Sequence, residues 1–251
     1  MSIDPRTGVG VTETSEAEMV IAERIRQAQQ EAVSEVLLPQ PNPELLHIVV
    51  NDAERFAEEM TKKHRSSSTS QVACINGCSH CCYQLVSVSA PEVFRIARYM
   101  NASMPTAQKD ELAGRIRNLN KATRGINEKA RVSIKKPCAF LNADGRCSIY
   151  EVRPLACAEF TSYNVQDCKR GQRIGFKPLG IIHEKARMVV FNAVRQGLHD
   201  GLAIAMPKAD SKWLELTAAI DTVLTRPDAE SEWLSGKDVF GKAHLNVPKS
   251  N

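Results

Sequence analysis

The sequence predicts a mainly helical protein with a small cysteine-rich, metal-binding subdomain that contains a β-hairpin. Three observations carry that expectation. Apolar residues recur at three- and four-residue steps over much of the 251-residue chain, and all eight cysteines fall between Cys74 and Cys168. Only one short stretch has the turn chemistry of paired strands. A chain of this length can bury a core without cross-links. Its 43% hydrophobic and 25% charged residues are ordinary for a globular protein.

The first helical stripe is Val20, Ile21, Ile25, Ala28, Ala32 and Val36, and Pro39, Pro41 and Pro43 stop it. A second helix runs from Pro43 towards Lys63, carries Leu46, Val49, Val50, Ala53 and Phe56, and ends before the polar run Ser66 to Ser70. Ser89-Ala90-Pro91-Glu92 has the form of a capping box with an early proline, so a helix starts there and carries Val93, Ile96, Ala97 and Met100. From near Pro105, Leu112, Ile116, Leu119, Ile126 and Ala130 continue the helical spacing, interrupted at Thr123.

Cys138 to Leu141, the turn-forming Asn142 to Gly145, and Arg146 to Tyr150 read as a hairpin. A four-residue loop sets Phe140 opposite Cys147 and Cys138 opposite Ile149. The two sulfurs are then diagonal neighbours on one face, and a one-residue slip would separate them. Helical spacing returns over Ile181 to Met206 and Trp213 to Leu224, with Trp213 and Trp233 as core aromatics, while Lys237 to Asn251 reads as a poorly ordered tail. The expected division is an N-terminal tail and helices over 1–65, a cysteine-cluster domain over 66–180, and C-terminal helices and a tail over 181–251.

No apolar run reaches the roughly eighteen residues of a membrane span, and Met1-Ser2-Ile3-Asp4-Pro5 has no signal-peptide pattern. The expected location is the cytoplasm, whose reducing conditions leave thiols free for metals or catalysis. A net charge of +4 is too mild to argue for nucleic acid. Eight basic residues (Arg115, Arg117, Lys121, Arg124, Lys129, Arg131, Lys135, Lys136) stand against Glu128 alone between Ala113 and Lys136. The apolar stripe through the same segment makes them the solvated face of an amphipathic helix, placed also to offset thiolate charge. Neither a membrane nor nucleic acid is expected as a partner; a protein partner is left open, as is the oligomeric state.

Cys74, Cys78, Cys81 and Cys82 crowd into nine residues, followed by Cys138, Cys147, Cys157 and Cys168. Thiolates are soft ligands for zinc and iron-sulfur clusters, and ligands on one short segment lose little entropy in assembling a site. All eight are therefore candidate metal ligands, Cys168 with the weakest claim. Asn76-Gly77 favours a turn that wraps the metal over a continuous helix. Adjacent cysteines seldom serve one metal equally, so Cys81 and Cys82 suggest two centres or a ligand beside a non-ligand. Two four-thiolate zinc sites, or one four-iron cluster plus zinc, would each use eight sulfurs.

Cys74, Gly77-Cys78, Cys81-Cys82, Pro137-Cys138-x-Phe140-Leu141, Gly145-x-Cys147-x-Ile149-Tyr150 and Arg153-Pro154-x-x-Cys157 together resemble the YkgJ-type cysteine-cluster family, a zinc- or iron-chelating domain. The resemblance covers roughly residues 74 to 160. It departs at Ala158, where a basic residue commonly follows the cysteine. It implies metal binding. Flagellin lysine N-methylases carry a similar cluster within the wider family, but methylation is implied far less firmly.

Cys74-x-x-x-Cys78-x-x-Cys81 also has radical SAM spacing, but the repeating strand-helix units of such a barrel are missing. His80 and His183 are alternative ligands or acid-base groups, although neither has the paired spacing of a histidine metal site. Tyr150 and Arg153 are read as residues that pack and orient the hairpin. Two functional classes follow: an enzyme with a redox-active or Lewis-acid centre, acting as an iron-sulfur oxidoreductase or on protein side chains, or a structural zinc scaffold for a partner.

Overall fold

The computed structural model describes residues 15–66, 70–174 and 184–245. Among them are ten α-helices and one two-stranded antiparallel sheet, so the protein is mainly α. Ser15 caps α1 (Glu16–Leu37), its backbone and hydroxyl bonded to Glu18. Asn42 caps α2 (Pro43–His64), whose buried face is Leu46, Val49, Val50, Ala53 and Ala57. The capping box forms at the start of α3 (Ala90–Ser103), where the Ser89 N–H and hydroxyl both donate to the Glu92 carboxylate at 2.8 Å. The next helical stretch is two helices, α4 (Thr106–Thr123) and α5 (Glu128–Ser133), broken where Thr123 bonds back to Leu119 and Gly125 takes a positive φ. Then follow α6 (Leu155–Glu159), α7 (Val165–Ile174), α8 (Lys185–Ala205), α9 (Leu216–Thr225) and α10 (Ala229–Leu234).

Helix α8 is the centre of the bundle and packs against α1, α2 and α6, while α9 packs against α3 and α4. The α1–α8 contact is close because α8 presents Gly197 and Gly201. A Cβ on Gly197 would sit 2.3 Å from the Arg26 carbonyl oxygen, and one on Gly201 would sit 2.7 Å from the Val33 Cβ. This contact corrects the expected stripe of α1. Ile25, Gln29, Val33, Ser34 and Leu37 are buried, whereas Val20, Ala28 and Ala32 are exposed. A small-residue groove admits whichever face approaches it most closely, polar atoms included, and that choice overrides the apolar count.

The one sheet is not the expected hairpin. Strand β1 (Ser87–Val88) pairs with β2 (Leu214–Glu215), with Ser87 opposite Glu215 and Val88 opposite Leu214. The expected hairpin over 138–150 is present in a minimal form, closed by one antiparallel bridge, Leu141 to Cys147, a one-residue slip from the expected register. Its bonds run from the Asn142 N–H to the Arg146 carbonyl (2.8 Å) and from the Ser148 N–H to the Phe140 carbonyl (2.8 Å). The reason is local: the Leu141 N–H turns back to the Cys138 carbonyl, so residues 138–141 curl where a strand would run straight.

The expected tail is also corrected over residues 237–245. Val239, Phe240 and Ala243 are buried, Phe240 packs 5.8 Å from Phe94, and the Leu245 N–H donates to the Trp213 carbonyl. His244 lies 2.6 Å from Asp210 and closes the same corner. Residues 246–251 of that tail lie outside the described residues. Trp233 is fully buried with Nε1 donating to the Asp210 carbonyl, but Trp213 is half-buried, stacked on His199 and covered by Arg195. No helix among the described residues is long and apolar enough to cross a membrane.

Candidate metal centre

Four short segments converge between the helices. The first is the turn of Cys78, where the Cys78 N–H bonds to the Ile75 carbonyl and Gly77 takes φ +98°, a left-handed conformation that glycine adopts without strain. It is a turn, as Asn76-Gly77 suggests, and not a continuous helix. A single 3₁₀ turn, His80–Tyr83, then carries Cys81 and Cys82. The second segment is the 138–150 turn, whose Gly145 lies against the first. A Cβ there would meet the Gly77 carbonyl at 3.3 Å. The Cys138 N–H donates to the Cys82 carbonyl at 2.7 Å and ties the two segments directly.

The third segment is 153–159. Buried Glu92, having closed the capping box, accepts the Leu155 N–H through its other oxygen at 2.9 Å, and Arg95 of α3 donates to the Arg153 carbonyl. From the opposite side, Arg187 of α8 donates to the Ala158 carbonyl while it pairs with Glu58, and Arg195 pairs with Glu159 at 2.9 Å. Cys157 thus sits on a one-turn helix held from both flanks. The fourth segment is α7 with Cys168, packed on the His80–Tyr83 turn.

Six of the cysteines, Cys78, Cys81, Cys82, Cys138, Cys147 and Cys157, line a single open cavity of about 180 Å³. The one-residue slip does not take Cys138 and Cys147 off a common surface, because the curled chain at 138–141 returns the first sulfur to the cavity. Cys74 and Cys168 are not on it. Cys74 accepts the Ser162 N–H at 3.3 Å, and Cys168 is buried with its thiol at Ser162 as well. Both are close enough to Cys78 and Cys81 to feel their charge. His80 lies off the cavity and bonds Gln172 of α7 through Nδ1 at 2.7 Å. His183 lies outside the described residues.

Burial opposes ionisation of most of these thiols. Desolvation pushes Cys138 up to about 12 and raises Cys74, Cys147, Cys157 and Cys168, each above the usual thiol value. Cys81 departs from this, held low by a hydrogen bond from Cys82, whose own thiol is pushed up by the same contact. Arg153 lines the cavity, stacks 4.5 Å over the Tyr150 ring and favours ionisation of Cys81, Cys147 and Cys157. The sequence assigns that pair only packing, yet both residues wall the site.

The donor chemistry suits a metal centre, although the described residues that bring three ligand atoms within 4.8 Å of one another are Asp210, Asp238 and His244 and not any three of the cysteines. The donor set is soft, several desolvated thiols gain a reason to ionise only from a nearby cation, and a buried guanidinium, Arg131, stands beside Cys82 and Cys138. Sequence reasoning placed Arg131 on a solvated face. Arg117, Lys121, Arg124, Lys129, Lys135 and Lys136 are indeed exposed, but Arg131 is 2% exposed because the break after α4 turns α5 inward.

Residues 73–174 match the family model CxxCxxCC, described as a "putative zinc- or iron-chelating domain". No curated protein and no solved structure matches the chain. The match falls on the stretch that carries the six cavity cysteines and covers less than half of the chain; it makes residues 73–174 similar to a zinc- or iron-chelating domain and supports metal binding there.

Proposed function

We propose that the six cavity cysteines hold a polynuclear metal-thiolate centre, an iron-sulfur cluster in the favoured reading, that serves an oxidoreductase or protein-modifying reaction. The observation that carries the polynuclear reading is the number of sulfurs on one surface: six exceed the four that close one tetrahedral zinc site or hold one iron-sulfur cluster, so the count supports more than one metal ion and leaves the choice of metal to metal and sulfide measurement. Cys78, Cys81, Cys147 and Cys157 would be the principal ligands, Cys82 and Cys138 the inner pair against Arg131. Cys74 and Cys168 would complete the set from the Ser162 side. A bound cluster would supply electron transfer or Lewis acidity. The cavity stays open beside it, walled by Leu85, Val86, Phe160 and Leu216, with Arg153 as the one charged side chain among the described residues of its lining. An apolar wall excludes water and strengthens the electrostatic hold of Arg153 on an anionic group.

A structural zinc scaffold is the second reading. It is favoured by the short, irregular segments that carry the cysteines, since such segments gain most from a metal that binds only the folded form. Metal and acid-labile sulfide analysis with an ultraviolet-visible spectrum, on protein purified without oxygen, separates the two. Iron, labile sulfide and a brown colour are expected. Colourless protein with stoichiometric zinc gives the scaffold, and protein that binds neither overturns both.

A further inference from the structure

Among the described residues, Arg131 is one of the largest fully buried side chains and the only charged one of that set. Its Nη1 donates to the Tyr83 carbonyl (3.2 Å) and the Lys136 carbonyl (2.7 Å), while Nε has no partner. Those two carbonyls flank Cys82 and Cys138, so one guanidinium grips both inner cysteine segments. A buried cation without an anion is strongly unfavourable. The negative groups that reach it are Cys138, Glu215 and Cys82. Glu215 is already engaged. Its carboxylate caps α9 by accepting the Ala218 N–H at 2.8 Å, and burial favours its neutral form. That leaves the thiols of Cys82 and Cys138, whose segments Arg131 already grips through the Tyr83 and Lys136 carbonyls and which would carry charge as metal ligands.

We infer that Arg131 is a positioning residue for the metal centre: its charge compensates the loaded thiolates of Cys82 and Cys138 while its two hydrogen bonds hold their segments together. The inference rests on the metal reading above. It makes Arg131 a residue whose carbonyl partners are present throughout but whose thiolate partners form only in the loaded protein, so loading relieves a penalty carried by the metal-free form.

The test uses the full chain with Zn²⁺ as the probe, affinity being read by competition against a chromophoric chelator. R131Q keeps donors for the carbonyls and removes the charge; R131K keeps the charge. R131Q is expected to weaken Zn²⁺ binding by about tenfold or more, the size of effect one nearby charge has on ionisation, and R131K by less. In thermal melts R131Q should lower the loaded protein's midpoint more than the metal-free one. E215Q should bind Zn²⁺ as the wild type does. Wild-type affinity in R131Q, or the same loss in E215Q, overturns the inference while leaving the metal reading intact. Wild-type chain that takes up no Zn²⁺ sinks the metal reading and this inference with it. Should R131Q not fold, R131K decides: binding close to wild type supports charge compensation, and a loss of about tenfold or more overturns it.

Discussion

Replacing Glu92 with alanine removes three contacts of one buried carboxylate. Two belong to the capping box of α3, where the Ser89 N–H and hydroxyl lose their acceptor. Loss of such a cap costs about 1 kcal/mol. The third is the Leu155 N–H, buried at the start of α6 and left without a partner at a further cost of about 1–3 kcal/mol. The sum, about 2–4 kcal/mol, corresponds to a fall of very roughly 5–15 °C in melting midpoint for a protein of this size. Urea unfolding of Glu92→Ala beside wild type measures it. Because α6 carries Cys157, metal content should fall as well. A loss under about 1 kcal/mol with full metal content would refute the argument that Glu92 joins the helix cap to the cysteine segment. Glu92→Gln should lie between, since its amide can accept on one side only.

Gly197→Ala should lower stability by about 1–2 kcal/mol, because overpacking against the Arg26 backbone outweighs the gain in helix propensity; an unchanged or higher melting midpoint would show that α1 can simply move away. Zinc affinity should rise with pH between about 6 and 8, by more than about tenfold per unit, since thiols raised by burial must release more than one proton on binding; a flat profile in chelator competition would exclude thiolate ligation. The same shifts set the metal-free protein's response to base. With folded pKa values raised above the unfolded thiol value of 9.0, this contribution to stability is present below about pH 9 and lost as the pH climbs towards about 12, a loss visible in alkaline melts and absent from loaded protein. Cys78→Ser or Cys81→Ser should remove metal and destabilise the cysteine segments, whereas Cys168→Ser should do less; equal losses by metal analysis would make Cys168 a full ligand.

The helices were legible because caps and prolines announce them: Ser89 to Glu92 and Pro43 lie where their spacing says. The helical face of α1 was not, because it depends on two glycines some 170 residues away, and a sequence pattern cannot show how closely two backbones approach. The pairing of Ser87–Val88 with Leu214–Glu215 was equally hidden, since two-residue strands have no period. At the site, the spacing of the cysteines marked the right side chains but not their division between cavity and Ser162 side. Arg131 was missed because a basic residue in a basic run looks like solvated surface until a helix break turns it inward. Its one sequence signal is Val132 beside it, an apolar residue where the stripe should have ended.

The β1–β2 pairing also bears on what a minimal version of this protein can be. Strand β1 leaves the Cys78–Cys82 turn within a few residues, and its partner brings in Leu216 of the cavity wall and Glu215 near Arg131. A fragment trimmed to 73–174 would retain every cysteine yet lose that wall, the Arg195 tie to Glu159 and the neighbour of Val88. The cysteine-bearing stretch is thus a graft that depends on its host, and chelation in such a fragment would report on loose thiols more than on the cavity of the full chain.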